Sequence, residues 1–578
     1  QVCGGKPRLV KLGWPWIGES TTLSPLTKGE RRELSMAKAP KKLLAALFDN
    51  LGEEVEVPPP RERGIIVPPE GYSDAPIAVV GESPGTEEVA LGRPFVGPSG
   101  RYLERVIQRL GLERSCLYIT NVCKEFHGSN SESFKPTPSE KVALASELKR
   151  ELAAGKHSII VPMGNTALEA LTGKRSITSW RGSILWNAEL NATIIPTFHP
   201  AYCKRDPRQS AFFEADWRRI AAEPAGPPIL PKRTLHIRPT IDDLAAFFAS
   251  LDIWDCLALD IETTLEPEPM ILCIAFSKRP DEALCVPLTL AYWGSTKHLG
   301  EAWEWVRAIV EHSCEKVLQN GLYDSYWLAW EWSCSTPLRN WKWDTLAMHH
   351  CLDPATDRDL LTDKRKSGGP QHSLAVLGSL YTREPYWKDK GRWGDRPSDE
   401  ALWLYCCTDA AVTRELLDPL KEELTKTGLL PFYLTAYPKR LTELLKLSLT
   451  GLRLDPLAWK SATERASSSL LEARGALESL GVIANKGISN KRLGELLYEE
   501  MALPEQRNRK TKRRSTDKTA LKRLALKNES ARSVTGAVER FRTANKRLEF
   551  LDLSALDSDG RLRSDFNPFA ETGRLRSQ

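Results

Sequence analysis

Short apolar runs alternate with helix-like segments over the first part of the chain. Two segments have a helical pattern, Tyr102–Leu110 and Ser139–Ala154. Four runs rich in β-branched residues have the length of buried strands: Ile77–Val80, Tyr118–Asn121, Ser158–Val161 and Thr193–Pro196. Because the strands alternate with helices, this pattern predicts a mostly parallel sheet in an α/β unit.

The pattern changes twice further along the chain. Glu223–Pro231 is rich in proline and typical of a linker, and the apolar strand Cys256–Ile261 then opens a second α/β unit. From about Gly428 the pattern is mainly helical. We therefore predict five segments, at residues 1–74 (an N-terminal extension), 75–222 (α/β), 223–233 (a linker), 234–427 (α/β) and 428–578 (mainly helical).

Composition narrows the class of protein. The chain has 578 residues, of which 41% are apolar and 27% charged, so we expect several globular domains rather than a disordered chain. No apolar run approaches the ~18 residues that a membrane span needs. The 12 cysteines include no C-x-x-C pair, which predicts reduced thiols in the cytoplasm. Because the first residue is Gln rather than Met, we expect a processed product or a fragment.

Acidic residues mark the end of the strand that opens the second unit. Asp260 and Glu262 are two positions apart, so alternation in a strand directs both carboxylates to one face. Like charges held this close favour hard divalent cations, although a solvated strand end is the common alternative for D-x-E alone. Asp324 follows in N-x-x-Y-D at a helix start, and Tyr405 and Asp409 share a helix face at i, i+4.

These three motifs, in this order over residues 234–427, resemble the proofreading 3′–5′ exonucleases with four acidic residues and a tyrosine. The resemblance implies an RNase H-like fold and two Mg²⁺ or Mn²⁺ ions. Asp260, Glu262 and Asp409 would hold one ion, Asp324 would help with the second, and Tyr405 would orient the attacking water. The alternative is a degenerate exonuclease fold kept for packing.

A loop rich in glycine and proline follows the first strand. Its sequence is Gly81-Glu82-Ser83-Pro84-Gly85, and a second loop, Gly92–Gly97, contains Phe95. Such loops let backbone amides approach a ligand, although a generic phosphate loop is an alternative. Asn121 ends a strand, and His199 precedes Pro200-Ala201-Tyr202, where an ordinary loop-end histidine is the simpler interpretation for His199 alone.

Together these motifs resemble the uracil-DNA glycosylase superfamily over residues 75–222, nearest its iron–sulfur branch. The resemblance implies an α/β/α sandwich with a pocket for a flipped-out base. Phe95 would stack on the base, Asn121 would read its edge, and His199 would stabilise negative charge on the leaving pyrimidine. Glu82, with Glu88 as the alternative, would support the water or the sugar cation.

The cysteines of that iron–sulfur branch are not matched here. Glu125 and Ser146 stand where two of the four cluster cysteines would fall, and Cys3 has no C-x-x-C partner. We therefore predict no iron–sulfur cluster. Whether the domain cleaves a base, or binds one without cleaving it, stays open at this stage.

The helical last segment resembles family-A DNA polymerases at three places. Leu441–Asp455 resembles the entry to the polymerase domain, Arg509–Asp517 its thumb tip, and Phe566–Ser577 the start of its palm with T-G-R-L. The resemblance implies contacts with DNA phosphates by six basic residues: Arg509, Lys510, Lys512, Arg513, Arg514 and Arg574. We expect the palm carboxylates and the fingers lysine of that family to lie beyond Gln578. A long amphipathic helix pair without enzymatic purpose is the alternative.

The combined resemblance is to the N-terminal portion of a phage-type family-A DNA polymerase with a fused glycosylase-like domain. It implies DNA as the partner, both as a primer–template and as a single-stranded 3′ end, together with replisome or processivity factors and no membrane. Two other interpretations stay open: the front domain is a base reader without catalysis, or the whole chain is a DNA-binding scaffold.

Overall fold

A computed structural model describes residues 64–128, 136–264, 270–331, 338–354, 372–389, 398–484, 487–508, 512–552, 556–557, 559–569 and 575–577. The chain divides into two compact units. Unit 1 comprises the described residues up to Ile177 and Leu185–Pro228, and unit 2 comprises Thr178–Ile184 and the residues from Ile229 onward. The finer division into five segments stays a prediction, and residues 1–63 of the N-terminal extension lie outside the described residues.

The first part of the chain alternates strands and helices, as its apolar pattern predicts. The strands are β1 (Ile77–Gly81), β2 (Leu117–Asn121), β3 (Ile159–Pro162), β4 (Leu185–Asn187) and β5 (Ala192–Ile194). The helices are α1 (Thr86–Leu91), α2 (Pro98–Arg109), α3 (Pro138–Ala154), α4 (Asn165–Thr172), α5 (Ile177–Trp180), α6 (Pro200–Arg205) and α7 (Ser210–Ala222).

The sheet of unit 1 has the order β2-β1-β3-β5-β4, and every pair except β4–β5 is parallel. All residues of β1, β2 and β3 are buried, as in a sheet covered on both faces. Gly81 and Asn121 are register partners at the carboxyl ends of β1 and β2. The loops that follow these two strands therefore start at the same edge of the sheet, where α/β proteins bind ligands.

Unit 2 begins with a second α/β fold. Its strands are β6 (Thr234–His236), β7 (Cys256–Thr263), β8 (Ile271–Arg279), β9 (Glu282–Pro287), β10 (Glu315–Leu318) and β11 (Trp341–Asp344). Its helices are α8 (Ile241–Ala249), α9 (Leu290–Trp293), α10 (Thr296–Glu311), α11 (Leu322–Glu331), α12 (Thr345–Leu352), α13 (Leu374–Tyr381) and α14 (Asp399–Lys426).

The sheet of this fold is mixed, with the order β11-β10-β7-β8-β9-β6. The central strand β7 pairs in parallel with β10 and antiparallel with β8. The long helix α14 packs across β7, β8 and β9 and buries Cys406, Cys407, Ala410 and Ala411 against them. Small side chains at these helix positions let the backbone approach the sheet closely, which brings the polar face of α14 to the end of β7.

The remainder of unit 2 is mainly helical, in agreement with the sequence pattern. Its helices are α15 (Leu430–Thr450), α16 (Pro456–Glu478), α17 (Asn490–Glu495), α18 (Lys518–Lys527) and α19 (Ala531–Phe550). Short strand pairs join β12 (Leu452–Arg453) to β15 (Arg561–Leu562), β13 (Ile483–Ala484) to β14 (Gly487–Ile488), and β16 (Phe566–Asn567) to β17 (Arg576–Ser577).

The fold class expected from the sequence is confirmed: two α/β folds are followed by a mainly helical region. In the part of the chain that the structure describes, we find no helix with the length and apolar character needed to span a bilayer.

Candidate active sites

The carboxyl ends of β1 and β2 form a closely packed polar pocket. Asn121 is 4% exposed, and its Oδ1 accepts no hydrogen bond from any described residue. A Cβ atom built on Gly81 would lie 2.3 Å from this oxygen and 2.5 Å from Cζ of Phe95. The absence of a side chain at Gly81 is therefore what leaves space between the asparagine and the aromatic ring.

Phe95 holds its place through a strained backbone that its neighbours fix. Its φ is +51°, which is uncommon for a bulky residue. Arg114 donates hydrogen bonds to the carbonyl oxygens of Pro94 and Phe95 at 2.5 and 2.8 Å, and it also pairs with Glu70 at 2.8 Å. The ring of Phe95 consequently lies 5.6 Å from that of His199, centroid to centroid.

His199 is held as a neutral imidazole with a defined tautomer. It is the N-cap of α6, where its Nδ1 accepts a hydrogen bond from the backbone N–H of Ala201 at 3.2 Å. Burial lowers the pKa of His199 to about 4, and the positive charge of Arg205 acts in the same direction. With Nδ1 acting as an acceptor, the proton of the neutral ring resides on Nε2, which is then a donor.

The two glutamates considered for this pocket differ in their surroundings. Burial raises the pKa of Glu82, although a hydrogen bond with Thr166 opposes the shift. The Glu88 carboxylate instead accepts hydrogen bonds from the backbone N–H groups of Gly85 and Gly97, at 3.1 and 2.9 Å. Glu88 therefore ties the two loops together, and the chemical role predicted for Glu82 stays a prediction.

A second polar site lies where β7 meets α14. Ligand oxygens of Asp260, Glu262 and Asp409 lie within 4.8 Å of one another. The alternation of β7 directs Asp260 and Glu262 to the face covered by α14, while Leu259 and Ile261 enter the core on the other face. The structure thus brings these three carboxylates together, and their role as metal ligands stays a prediction.

The acidic side chains lie so close together that loss of their protons is disfavoured. Burial raises the pKa of Asp260, and the negative charges of Asp409, Asp324 and Glu262 raise it further. Burial and the charge of Asp409 likewise raise the pKa of Glu262 to about 9. A set of oxygen donors that repel one another in this way fits a hard divalent cation, which would remove the repulsion.

Asp324 and Tyr405 flank this group of three carboxylates. Asp324 lies in the first turn of α11, and its Oδ1 accepts a hydrogen bond from the backbone N–H of Ile261 at 3.1 Å. Burial raises the pKa of Asp324 to about 7. Tyr405 lies one turn before Asp409 on α14, so the structure brings all five predicted residues to the same end of β7.

Two residues that the sequence analysis missed complete this site. Trp387 donates from Nε1 to Oδ1 of Asp409 at 2.6 Å, and the ammonium of Lys388 donates to Oδ2 of Asp409 and to the Tyr405 hydroxyl oxygen. Although burial lowers the pKa of Lys388, Asp409 and Tyr405 raise it above the ordinary lysine value. The segment after α13 has no periodic pattern, so only its Trp-Lys pair could have drawn attention.

Asp344 supports the turn that carries Asp324. Its Oδ1 caps α12 by accepting from the N–H of Ala347, and its Oδ2 accepts from the N–H of Gly321 at 2.8 Å. Burial raises the pKa of Asp344 to about 6. The residue stabilises the loop between β10 and α11 and lies behind the carboxylate group.

The predicted DNA contacts are only partly within the described residues. Arg509, Lys510 and Arg574 lie outside them. Lys512 and Arg513 are exposed. Arg514 forms ion pairs with Glu499 at 2.6 Å and with Glu505 at 2.5 Å, so part of its charge is already compensated.

Among the described residues, no group of cysteines lies near the pocket of unit 1. Cys123 is buried, and its Sγ lies 3.3 Å from Nε2 of His127. Three thiols that do lie close together, those of Cys273, Cys285 and Cys406, belong to the core of unit 2. The absence of an iron–sulfur cluster stays a prediction.

Comparison with known proteins assigns a family to each α/β fold. The profile of the uracil-DNA glycosylase superfamily matches residues 68–221, and that of a 3′–5′ exonuclease domain matches residues 235–425. Exonuclease domains of this kind use divalent metal ions.

Three relatives show how far the likeness extends. The type-4 uracil-DNA glycosylase of Sulfurisphaera tokodaii is 37% identical over 162 residues, which are 27% of this chain and 72% of the relative. That of Thermotoga maritima is 40% identical over 144 residues, 24% of this chain and 72% of the relative. The DNA polymerase of Bacillus phage SP01 is 25% identical over 393 residues, 61% of this chain and 41% of the relative.

The likeness to the phage polymerase covers less than half of that protein, whereas the likeness to the glycosylases covers most of each relative. The glycosylase motifs, the exonuclease motifs and the polymerase-related region occur in this order in one chain, as the sequence analysis expected. The chain therefore belongs to the uracil-DNA glycosylase superfamily through residues 68–221, and it joins that domain to a polymerase-associated 3′–5′ exonuclease domain.

Proposed function

We propose that Asp260, Glu262 and Asp409 hold a divalent ion and that the chain uses this site to remove nucleotides from the 3′ end of DNA. Asp324 would complete the ligands of a second ion, and Mg²⁺ or Mn²⁺ suits this all-oxygen donor set. The observation that carries the proposal is the convergence of three carboxylate oxygens, from β7 and α14, within 4.8 Å.

Each residue has a definite part in this reaction. The carboxylates of Asp260, Glu262, Asp409 and Asp324 would hold the ions, whose positive charge would stabilise the entering and leaving oxygens of an in-line displacement. Tyr405, one helical turn from Asp409, holds the attacking water with Glu262 beside it. The water gives up a proton to solvent as its oxygen bonds to the phosphorus of the last phosphodiester. The bond from that phosphorus to the 3′ oxygen of the preceding nucleotide breaks, that oxygen takes up a proton, and a nucleoside monophosphate leaves.

The test is digestion of a 3′-labelled primer by the chain carrying Asp260→Ala and Glu262→Ala together. We expect loss of at least about a thousandfold in rate, because the ion loses two of its ligands. Asp281→Ala, in the exposed turn between β8 and β9, is the matched control and should digest normally. Digestion by the double variant at the control rate would overturn the assignment.

We propose, as a second function, that the pocket of unit 1 binds a flipped-out uracil and cleaves its glycosidic bond. The unpaired Oδ1 of Asn121 suits the N3–H of uracil, and Nε2 of His199 suits the oxygen on which negative charge develops. Cleavage breaks the bond between base and sugar and leaves its electron pair on the base. Water then adds to the sugar carbon with support from Glu82, and the proton that the water loses balances the one that the uracil anion takes up.

Release of free uracil from a single-stranded oligonucleotide distinguishes three functions: a glycosylase, a base reader without catalysis and a DNA-binding scaffold. A glycosylase releases uracil, and His199→Ala abolishes the release. A base reader binds the uracil oligonucleotide more tightly than its thymine counterpart without releasing uracil. A DNA scaffold shows only salt-sensitive binding with neither activity.

DNA is the partner that both domains share. We propose that Lys512 and Arg513 contact duplex phosphates. Replacing both by alanine, as Lys512→Ala with Arg513→Ala, should reduce the slope of log K for duplex binding against log salt concentration by the amount that about two phosphate contacts contribute. We also propose that replisome or processivity factors bind the chain and that it acts in the cytoplasm, which is the host's if the chain is phage-encoded. These two proposals rest on the polymerase-related region alone.

A further inference from the structure

We propose that Lys388 is a resident cation of the exonuclease site, which positions Asp409 and Tyr405 and competes with the incoming metal ion for Asp409. This inference rests on the proposed exonuclease function. It adds a residue from the described stretch 382–389, which follows α13, to a site otherwise built from β7, α11 and α14.

The contacts of the Lys388 ammonium place it among the proposed metal ligands. It donates to Oδ2 of Asp409 and to the hydroxyl oxygen of Tyr405, the latter at 2.9 Å. It also lies 4.6 Å from the ring centroid of Tyr405, within the range of a cation–π contact. The side chains of Lys388 and Asp409 are 21% and 5% exposed, so water screens this pair only weakly.

Both oxygens of Asp409 already have partners. Trp387 donates to Oδ1 at 2.6 Å, and Lys388 occupies Oδ2. An ion shared by Asp409, Asp260 and Glu262 must therefore approach an oxygen that an ammonium or an indole N–H already contacts. Because two cations close together repel each other, binding of the ion displaces the ammonium from Asp409 or is weakened by it.

The ammonium also replaces some of the charge that the ion would supply. It contacts Asp409, which has a carboxylate oxygen within 4.8 Å of oxygens of Asp260 and Glu262, so one positive charge already lies beside the three acidic side chains.

The contact with Tyr405 gives Lys388 its positioning role. The hydroxyl oxygen accepts from the ammonium, so the proton of this hydroxyl remains free to donate to another group. The same contact restricts the directions in which the hydroxyl hydrogen can point. We infer that Lys388 positions Tyr405 for the attacking water and does not itself contact the reacting atoms.

The test measures binding of Mn²⁺ alone to the full chain, by the loss of the electron paramagnetic resonance signal of free Mn²⁺. Lys388→Met keeps the length of the side chain without its charge, and Lys388→Gln is a second neutral variant in case the first does not fold. Both should bind Mn²⁺ about tenfold more tightly than the parent chain. Lys388→Arg, which keeps the charge, should stay within about twofold of the parent.

A matched control removes the same charge elsewhere in unit 2. Lys297 is 81% exposed on α10, where it pairs with Glu301, and Lys297→Met should leave Mn²⁺ affinity unchanged. At saturating Mn²⁺, the neutral Lys388 variants should digest a primer with a lower kcat, because Tyr405 is no longer held. A merely structural role for Lys388 would lower both stability and metal affinity, and would not raise affinity.

The outcomes separate this inference from the proposed function. Unchanged or weaker Mn²⁺ binding by the neutral Lys388 variants overturns the inference and leaves the exonuclease assignment standing. Mn²⁺ binding that persists in the variant with Asp260→Ala and Glu262→Ala overturns the proposed metal site itself. Tighter binding by both neutral variants, without a change in Lys388→Arg, supports the competition.

Discussion

Asn121 keeps a buried amide oxygen that no described residue pairs with a hydrogen-bond donor. A buried acceptor left unpaired costs about 1–3 kcal/mol, so its retention is explained most simply by a ligand that brings the missing donor. The space in front of this oxygen exists because residue 81 is a glycine, and the ring of Phe95 forms another wall of that space. At the scale of single residues, these features support the proposal that the pocket of unit 1 binds a base.

Gly81→Ala should close this pocket. The added methyl would lie 2.3 Å from Oδ1 of Asn121 and 2.5 Å from Phe95, so one of them must move. We expect uracil release to fall at least about a hundredfold, since a small misplacement of the reacting groups has that effect. Gly300→Ala on α10 adds the same methyl where no atom lies within 4 Å and should have no effect.

Trp387 makes the other single-residue contact with a testable consequence. Trp387→Phe keeps a ring in the core but removes the N–H that Asp409 accepts at 2.6 Å. A lost hydrogen bond to a charged group should lower the free energy of unfolding by about 1.5–3 kcal/mol. Urea unfolding, with the primer-digestion rate as a second readout, checks this; an unchanged free energy would mean that water or another donor replaces the indole.

The parts of the chain that carry the exonuclease site differ in what the sequence could predict of them. Strand β7 and helix α14 have regular periods, so alternation placed Asp260 beside Glu262, and i, i+4 spacing placed Tyr405 beside Asp409. Lys388 comes from an irregular segment, where the direction of a side chain depends on tertiary packing. The ion pairs of Arg514 were not predicted because Glu505 and Glu499 lie 9 and 15 residues before it, with no shared helix or strand period to place them together.

A cluster of three buried histidines ties α12 to the segment before α13. Nδ1 of His349 lies 2.6 Å from Nδ1 of His372, and the ring of His350 packs edge-on against Phe569 at 5.4 Å. Burial lowers the pKa of His349 to about 4 and that of His372 to about 3. All three side chains are less than 9% exposed, so solvent screens these shifts little.

This cluster should make unit 2 sensitive to acid. The folded pKa values lie below the unfolded value of about 6.5, so the unfolded chain binds protons first as the pH falls. The histidines should therefore leave the free energy of unfolding undiminished above pH 6.5. Between pH 6.5 and about pH 4, that free energy should fall by up to about 1.4 kcal/mol per pH unit for each histidine. Urea midpoints at pH 7, 6 and 5 should fall more steeply for the parent than for the variant with His349→Gln and His372→Gln; equal slopes would contradict this account.

At the scale of the whole molecule, each proposed site is complete within one compact unit. The pocket residues from Gly81 to His199 belong to unit 1, and the carboxylates, Tyr405 and Lys388 belong to unit 2. The order of the motifs along the chain was sufficient to predict both folds, because each family keeps its functional residues at strand ends and helix faces. The supporting contacts of Arg114 and Asp344 became evident only with the coordinates, because residues far apart in sequence make them.

The two activities should therefore be separable by substitution. His199→Ala should abolish uracil release and leave primer digestion within about twofold of the parent, because no contact within unit 2 is changed. Asp260→Ala with Glu262→Ala should do the reverse. Both reactions are measured on the same preparations, and loss of both activities in either variant would show that the two units depend on each other.

The placement of Asp260 and Glu262 on an alternating strand limits how this gene can change over evolutionary time. Insertion or deletion of one residue within Cys256–Leu259 would exchange the two faces of the rest of β7. Both acidic side chains would then point into the hydrophobic core, and Ile261 would point away from it. Insertions and deletions among homologous sequences should therefore occur in turns such as that at residues 280–281, whereas the length of β7 should not vary.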